Sequence, residues 1–213
     1  MVRSTAPELG DDPNLDEETL QVLYSDVTAT HRWLGNTRVV LRALERNPFP
    51  VQRVLDIGCG RGDLLVEIRR RLNVEAIGID LRRLQKRPPL PILNGDAVRQ
   101  ALPHADVALA VAMIHHLSEC DVVELIRNVA RSARRFIILD FVRHALPLAL
   151  FRLAVHPFLS RVAAHDGMQT LRRSYTVAEL SGLVGTALGG RSADVRHTVG
   201  PFYTRQMVDI RFG

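Results

Sequence analysis

Apolar residues recur along this chain with two periods, and the change between them falls near residue 51. Upstream the spacing is three or four. Leu20, Leu23 and Val27 share one face of a predicted helix over residues 14–27, whose first turn carries acids that suit the free N–H groups of a helix start. Leu34, Val39, Leu41 and Leu44 mark a second helix over 31–48, ending at Pro48. Residues before about 13 are polar and hold Pro and Gly, which predicts a loosely held segment.

Downstream of 51, short apolar runs alternate with amphipathic stretches. "RVLDIG", "VEAIGID", "LPILNGD", "ADVALAVAM" and "RRFIILDF" predict five strands, with "RGDLLVEIRRRL" and "ECDVVELIRNVARSA" as helices between them. The run at 105–113 is apolar almost throughout, as a central parallel strand covered on both faces requires. Past Phe141 the pattern predicts a helix over 145–164, a loop over 165–175, and a helix from Thr176, capped by that residue with Glu179 three positions on. Residues 192–200 and 202–212 predict a terminal strand pair. The alternation defines an α/β fold with an open, mostly parallel, doubly wound sheet. We divide it into an N-terminal helical cap over 1–50 and a core over 51–213, with a helical lid insertion at about 144–175.

Composition narrows the classes. Of 213 residues 46% are apolar and 24% charged, as in a globular domain with one full core. The net charge is +5, but the arginines are spread along the chain with no aromatic-interleaved basic stripe, so no nucleic-acid partner is expected. Cys59 and Cys120 provide neither a disulfide framework nor a metal-type pair, which points to a reducing cytoplasm. The N-terminus lacks the apolar run of a secretory signal. The apolar stretch at 144–159 is interrupted by Pro147, Arg152, His156 and Pro157, so no stable membrane insertion is expected.

The chemistry begins at "VLDIGCGRGD". A strand, a glycine-rich turn and a helix start make a nucleotide-type site, because glycines admit a ligand close to the backbone and the helix start offers free N–H groups. Gly58, Gly60 and Gly62 run G-x-G-x-G, whereas a dinucleotide turn runs G-x-G-x-x-G. Asp56 and Asp63 flank the turn. A carboxylate beside a pyrophosphate at 4 Å would cost about 4 kcal/mol in a partly buried site. The same charge suits an ammonium and a sulfonium, the cationic groups of S-adenosylmethionine. Asp80, ending the second strand, can accept from both ribose hydroxyls, a role compatible with NAD as well. Asp96, ending the third, can accept from an adenine amino group while Ala97 supplies a backbone N–H. As isolated residues these three acids would read as ordinary strand-end polar groups.

On "VLDIGCGRGDLL", "AIGIDL", "NGDAV" and "DVALAVAMIHHL", the chain resembles the class I S-adenosylmethionine-dependent methyltransferases over roughly residues 50–140. That resemblance implies a Rossmann-like seven-stranded sheet with an antiparallel last strand. It also implies a donor site built from Asp56, Gly58, Cys59, Gly60, Gly62, Asp80, Leu81, Asp96, Ala97 and Ala112. On "HRWLGN", "AMIHHL", "FIILDFVRHALPLALFRL" and "HDGMQTLRRSYTVAEL" the remainder is similar to small bacterial O-methyltransferases acting on aromatic polyketide or quinone-like acceptors. The reaction expected is O-methylation of a small hydrophobic aromatic acceptor, with no metal. Macromolecular methylation, N- or C-methylation, and a donor-binding module without activity are the alternatives.

His115 and His116 follow the fourth strand, where the methyl group would be presented, and are candidate bases or packing groups. His165 and Asp166, read as a turn before Gly167, are a second candidate pair. Asp140 and Arg143 end the fifth strand and are expected to face the acceptor. Arg172 and Arg173 would meet a substrate carboxylate or solvent. From the N-terminal helices Tyr24, His31, Arg32 and Trp33 could reach the donor. The apolar helix from residue 145 would wall the acceptor pocket; a homodimer or lipid interface is its other reading.

Overall fold

The period-2 alternation within each strand divides the core into two layers. In the computed structural model, which describes residues 1–83 and 88–213, the strands are β1 (Arg53–Ile57), β2 (Glu75–Asp80), β3 (Ile92–Asn94), β4 (Ala105–Val111), β5 (Ala133–Asp140), β6 (Ala193–Val199) and β7 (Gln206–Phe212). They form one sheet of order β3-β2-β1-β4-β5-β7-β6. β1 to β5 are parallel, and β7 runs antiparallel to both β5 and β6. The helices are α1 (Glu17–Trp33), α2 (Asn36–Glu45), α3 (Asp63–Leu72), α4 (Glu119–Ser132), α5 (Ala145–Ala154), α6 (Arg161–Arg173) and α7 (Val177–Leu188).

Leu55, Ala108, Ala110, Phe136 and Ile138 point to one side, where α4 contributes Val122, Leu125 and Ile126 and α7 contributes Leu180 and Val184. Their sequence neighbours Val54, Val107, Leu109, Ile137 and Leu139 point to the other, against Val40 and Leu44 of α2 and Leu65 and Ile68 of α3. Val107 to Ala110 are all fully buried, the cause of the unbroken apolar run read in β4. Strand order reverses between β1 and β4, so the helices that follow these strands leave on opposite faces and open a crevice beyond the carboxyl ends.

Four expectations are corrected here. The break between the first two helices lies at Gly35 (φ +74°), so α1 continues through Trp33 and α2 starts at Asn36. The helix expected over 145–164 is two. Pro157 sits in a short 3-10 turn, His156–Phe158, and the Ser160 hydroxyl then accepts from the Ala163 N–H to start α6. The loop expected over 165–175 is largely α6, because Asp166 and Gly167 serve packing rather than a turn. A Cβ on Gly167 would lie 2.2 Å from the Phe151 ring, so this glycine lets α5 approach α6.

The fourth correction concerns the N-terminus. Residues before 13 are strapped across α6. Leu9 and Gly10 donate to the buried Asp166 carboxylate at 2.7 Å each, the Ser4 N–H donates to the Arg172 carbonyl, and Gln169 donates to Ser4 Oγ and the Ala6 carbonyl. The Arg3 guanidinium lies 4.0 Å from the Tyr175 ring centre and donates to the carbonyls of His115 and Leu117. Low hydrophobicity hid a segment held by polar contacts.

Candidate active site

Two sets of side chains meet in one cavity of about 1790 Å³ along the carboxyl edge of β1, β2 and β4. Small-molecule pockets commonly occupy about 300–1,000 Å³, so this one has room for two ligands. The first set is the turn between β1 and α3. Gly58 (φ +70°) and Gly60 (φ +53°) adopt the left-handed backbone that side chains disfavour. A Cβ on Gly58 would lie 2.4 Å from Met113 Cγ, and one on Gly60 would lie 2.9 Å from the Tyr24 ring. Bare backbone is thus what lets Met113 and Tyr24 close over the turn.

Asp80 braces that turn: Oδ2 accepts from the Gly60 N–H at 2.7 Å and Oδ1 from the Arg82 N–H at 2.8 Å. Asp56 is 3% exposed, and burial, followed by the charge of Asp80, pushes its carboxyl up to about 8. Asp96 accepts from the Val98 N–H, which fixes the turn after β3, with Ala97 buried beside it. Cys59, Leu81 and Ala112 also line the cavity, and Ala112 has positive φ (+50°) where the chain leaves β4. Asp56, Asp80 and Asp96, spread over some forty residues of sequence, line one wall.

The second set is centred on a 3-10 turn, Ile114–His116, that follows β4. His115 is 2% exposed. Its backbone N–H and its ring Nδ1 meet the two oxygens of Asp140 at 3.0 and 2.8 Å, leaving Nε2 3.5 Å from Glu8 Oε1. His116 Nδ1 lies 3.0 Å from Asp11 Oδ1, and its Nε2 lies 4.0 Å from Glu8 Oε2. Burial pushes Glu8 up to about 7, although His116, Thr170 and Arg173 oppose the rise. Burial also acts to raise Asp11 and Asp140, but hydrogen bonds and charge from His116 and Arg173, and from His115, outweigh it and hold both below the usual carboxylate range.

The other sequence candidates lie as follows. Asp140 stands behind His115 rather than in the cavity wall. Arg143, expected to face the acceptor, is buried away from the cavity. It donates to the Met1 and Ser174 carbonyls and to Glu179, which ties the start of α7 to the segment after β5. His165 is exposed on α6 outside the cavity wall, its Nδ1 3.2 Å from Asp166. Asp166 does reach the wall, but its oxygens are engaged by the N-terminal strap. Arg173 pairs with Asp11, and Arg172 is exposed. Tyr24 and His31 line the cavity; burial pushes the tyrosine up to about 12 and the histidine down to about 4. Trp33 is 70% exposed.

Glu8, Asp11 and Met113 were missed by sequence reasoning. The first two meet their partners across more than a hundred positions, and no local pattern marks them. Apolar side chains from three helices, Leu20, Leu150, Phe151 and Leu171 among them, wall the space beside the histidines.

A glycine turn and strand-end acids at the switch point of a doubly wound sheet are the arrangement of the nucleotide-binding class of α/β folds. The particular family is the methyltransferase domain, whose pattern the chain matches over residues 29–179, and the chain belongs to it. An uncharacterized methyltransferase of Mycobacterium tuberculosis, Rv0089, is 38% identical over 81 residues. That match takes in 34% of this chain and 41% of the relative, so the chain covers under half the length of the curated relatives it matches. Among solved structures, the plantazolicin methyltransferase BpumL in complex with SAH superposes with a TM-score of 0.71 at 14% identity, over 96% of this chain and 94% of that one. CalO1, a methyltransferase in calicheamicin biosynthesis in its SAH-bound form, superposes with a TM-score of 0.61 at 22% identity, over 92% of this chain and 59% of that one. Among the described residues no helix is long and apolar enough to cross a membrane.

Proposed function

We propose that this protein transfers the methyl group of S-adenosylmethionine to a hydroxyl of a small aromatic acceptor. The observation that carries the reading is one continuous cavity with an acidic, glycine-backed wall at one end and a histidine pair with apolar walls at the other. Asp80 accepts from the ribose hydroxyls and Asp96 from the adenine amino group. Asp56 favours the cationic end of the donor. The reaction is an in-line displacement at a carbon already activated by sulfur, so most of the rate comes from alignment, worth about 7–11 kcal/mol. Removal of the acceptor proton adds about 10²–10⁴-fold. His115 and His116 act on that hydroxyl, since carboxylates engage both Nδ1 atoms and leave each Nε2 as a lone pair. Residues 1–50 close over the donor. CalO1 acts in calicheamicin biosynthesis and BpumL on plantazolicin, which favours an acceptor from secondary metabolism.

Incubation with labelled S-adenosylmethionine and a panel of phenols, quinols, fatty acids and RNA tests the reading. Label in a phenol or quinol is expected. Label only in RNA would move the acceptor to a macromolecule, and donor binding without label in any arm would leave a binding module.

A further inference from the structure

We propose that Glu8, His115 and His116 bind one divalent first-row transition-metal ion, with zinc the preferred occupant, beside the acceptor compartment. Each residue offers one ligand atom, and the three atoms lie within 4.8 Å of one another. Glu8 Oε1 is 3.5 Å from His115 Nε2, and Oε2 is 4.0 Å from His116 Nε2. Ligands about 2.1 Å from a tetrahedral zinc stand about 3.4 Å apart, so Glu8 and His115 are already near ligand spacing and the rest of the cluster, spread over as much as 4.8 Å, draws in on binding.

The surroundings favour a cation more strongly than the distances do. Asp140 holds His115 Nδ1 and Asp11 holds His116 Nδ1, which turns both Nε2 lone pairs toward a third carboxylate. Three acceptor atoms therefore converge, and a metal ion converts their mutual repulsion into coordination. Carboxylates behind ligating histidines are also what fixes ring orientation and strengthens the donor nitrogen in metal sites. With Glu8 held ionised by the ion, Glu8, Asp11 and Asp140 supply three negative charges. Arg173, 3.8 Å from Glu8 and paired with Asp11, and Arg3 on the His115 carbonyl offset part of that charge, and a dication at the cluster neutralises the remainder. Two imidazoles and one carboxylate disfavour magnesium and calcium, which prefer all-oxygen shells.

Three protein ligands leave a coordination position open toward the cavity that all three residues line. The role of that position rests on the methyl-transfer reading. There the acceptor oxygen binds the ion and releases its proton to solvent, because coordination lowers its pKa. As the oxygen–carbon bond forms, the sulfur–carbon bond breaks and its electron pair stays on sulfur, giving S-adenosylhomocysteine. The histidines then act on the hydroxyl through the ion rather than as free bases.

The test uses the full chain, stripped of metal with dipicolinate, then titrated with Zn²⁺ by calorimetry and with Co²⁺ by visible absorption. One ion per chain is expected, with the d–d bands of a four- or five-coordinate nitrogen–oxygen site. D11N, which frees the His116 ring, should weaken Zn²⁺ by about 10–100-fold, and E8Q and H116N by more. H104N, beside the opposite end of β4, should match the unaltered protein. Melting curves of the metal-free variants identify any that fail to fold, and D11N leaves the ligand set intact. Absence of a stoichiometric ion, or equal Zn²⁺ affinity in E8Q, H116N and D11N, would show that protons alone occupy the cluster and overturn the proposal. A separate titration of the metal-free protein with S-adenosylhomocysteine keeps the two readings apart. Nucleoside binding without metal binding sinks only the ion, and the reverse sinks only the donor.

Discussion

Asp56 carries a measurable consequence of its burial. With its carboxyl pushed up to about 8 in the folded chain and near 3.8 when unfolded, it is neutral in the free protein at pH 7. Unfolding across that window releases a proton, so this residue makes the protein less stable as pH rises from about 4 to about 8. D56N should therefore melt above the unaltered protein at pH 8 and match it near pH 4. A cationic donor favours the ionised carboxylate, so binding at pH 7 should expel a proton. Calorimetry in buffers of differing ionisation enthalpy should detect that proton in the unaltered protein and not in D56N. Asp80 is braced by two backbone N–H groups, and D80A removes the proposed ribose acceptor and the brace together. At about 1.5–3 kcal/mol per charge-assisted bond, S-adenosylhomocysteine should bind at least about 100-fold more weakly in D80A, read by direct titration.

Between elements, two buried polar contacts decide how the parts hold together. Arg135 of β5 meets Asp209 of β7 through two 2.7 Å bonds and also donates to the Ala43 carbonyl and Asn47, so one guanidinium joins two strands to α2. D209A strands that buried charge and should destabilise the fold by about 3–5 kcal/mol, measured by urea unfolding. Asp166 of α6 plays the corresponding part for the N-terminal strap. D166A should leave the sheet intact while the amides of Leu9 and Gly10 lose protection in hydrogen exchange. Both acids look alike in the sequence. Asp209 sits in an alternating strand pattern and Asp166 beside a glycine, and neither setting tells which backbone or side chain lies opposite. Local grammar did locate the elements whose ends carry local signals, such as the Thr176–Glu179 capping box at α7. It mislaid α6, where an Asp-Gly pair that elsewhere makes a turn is used for tertiary contact.

Across the whole molecule, the sheet was legible because alternation and unbroken apolar runs report directly on which faces are covered. The seven strands fall where the pattern put them, whereas their order in the sheet, with its reversal between β1 and β4, is set by tertiary packing that no local pattern reports. The glycine turn and its acids were legible too, since each lies at the end of a strand whose position was already fixed. The second half of the cavity was not. Glu8 and Asp11 come from a stretch with too little apolar surface to announce itself, and His115 and His116 acquire their carboxylates only through the fold.

That uneven legibility has a counterpart in the order of synthesis. The glycine turn and its three acids have all been synthesised by residue 96 and gain their Met113 cover just after β4, whereas Glu8 is seated only after Thr170 and Arg173 have emerged to hold it. A chain cut short before α6 would thus carry every residue of the glycine turn yet lack the partners that seat Glu8.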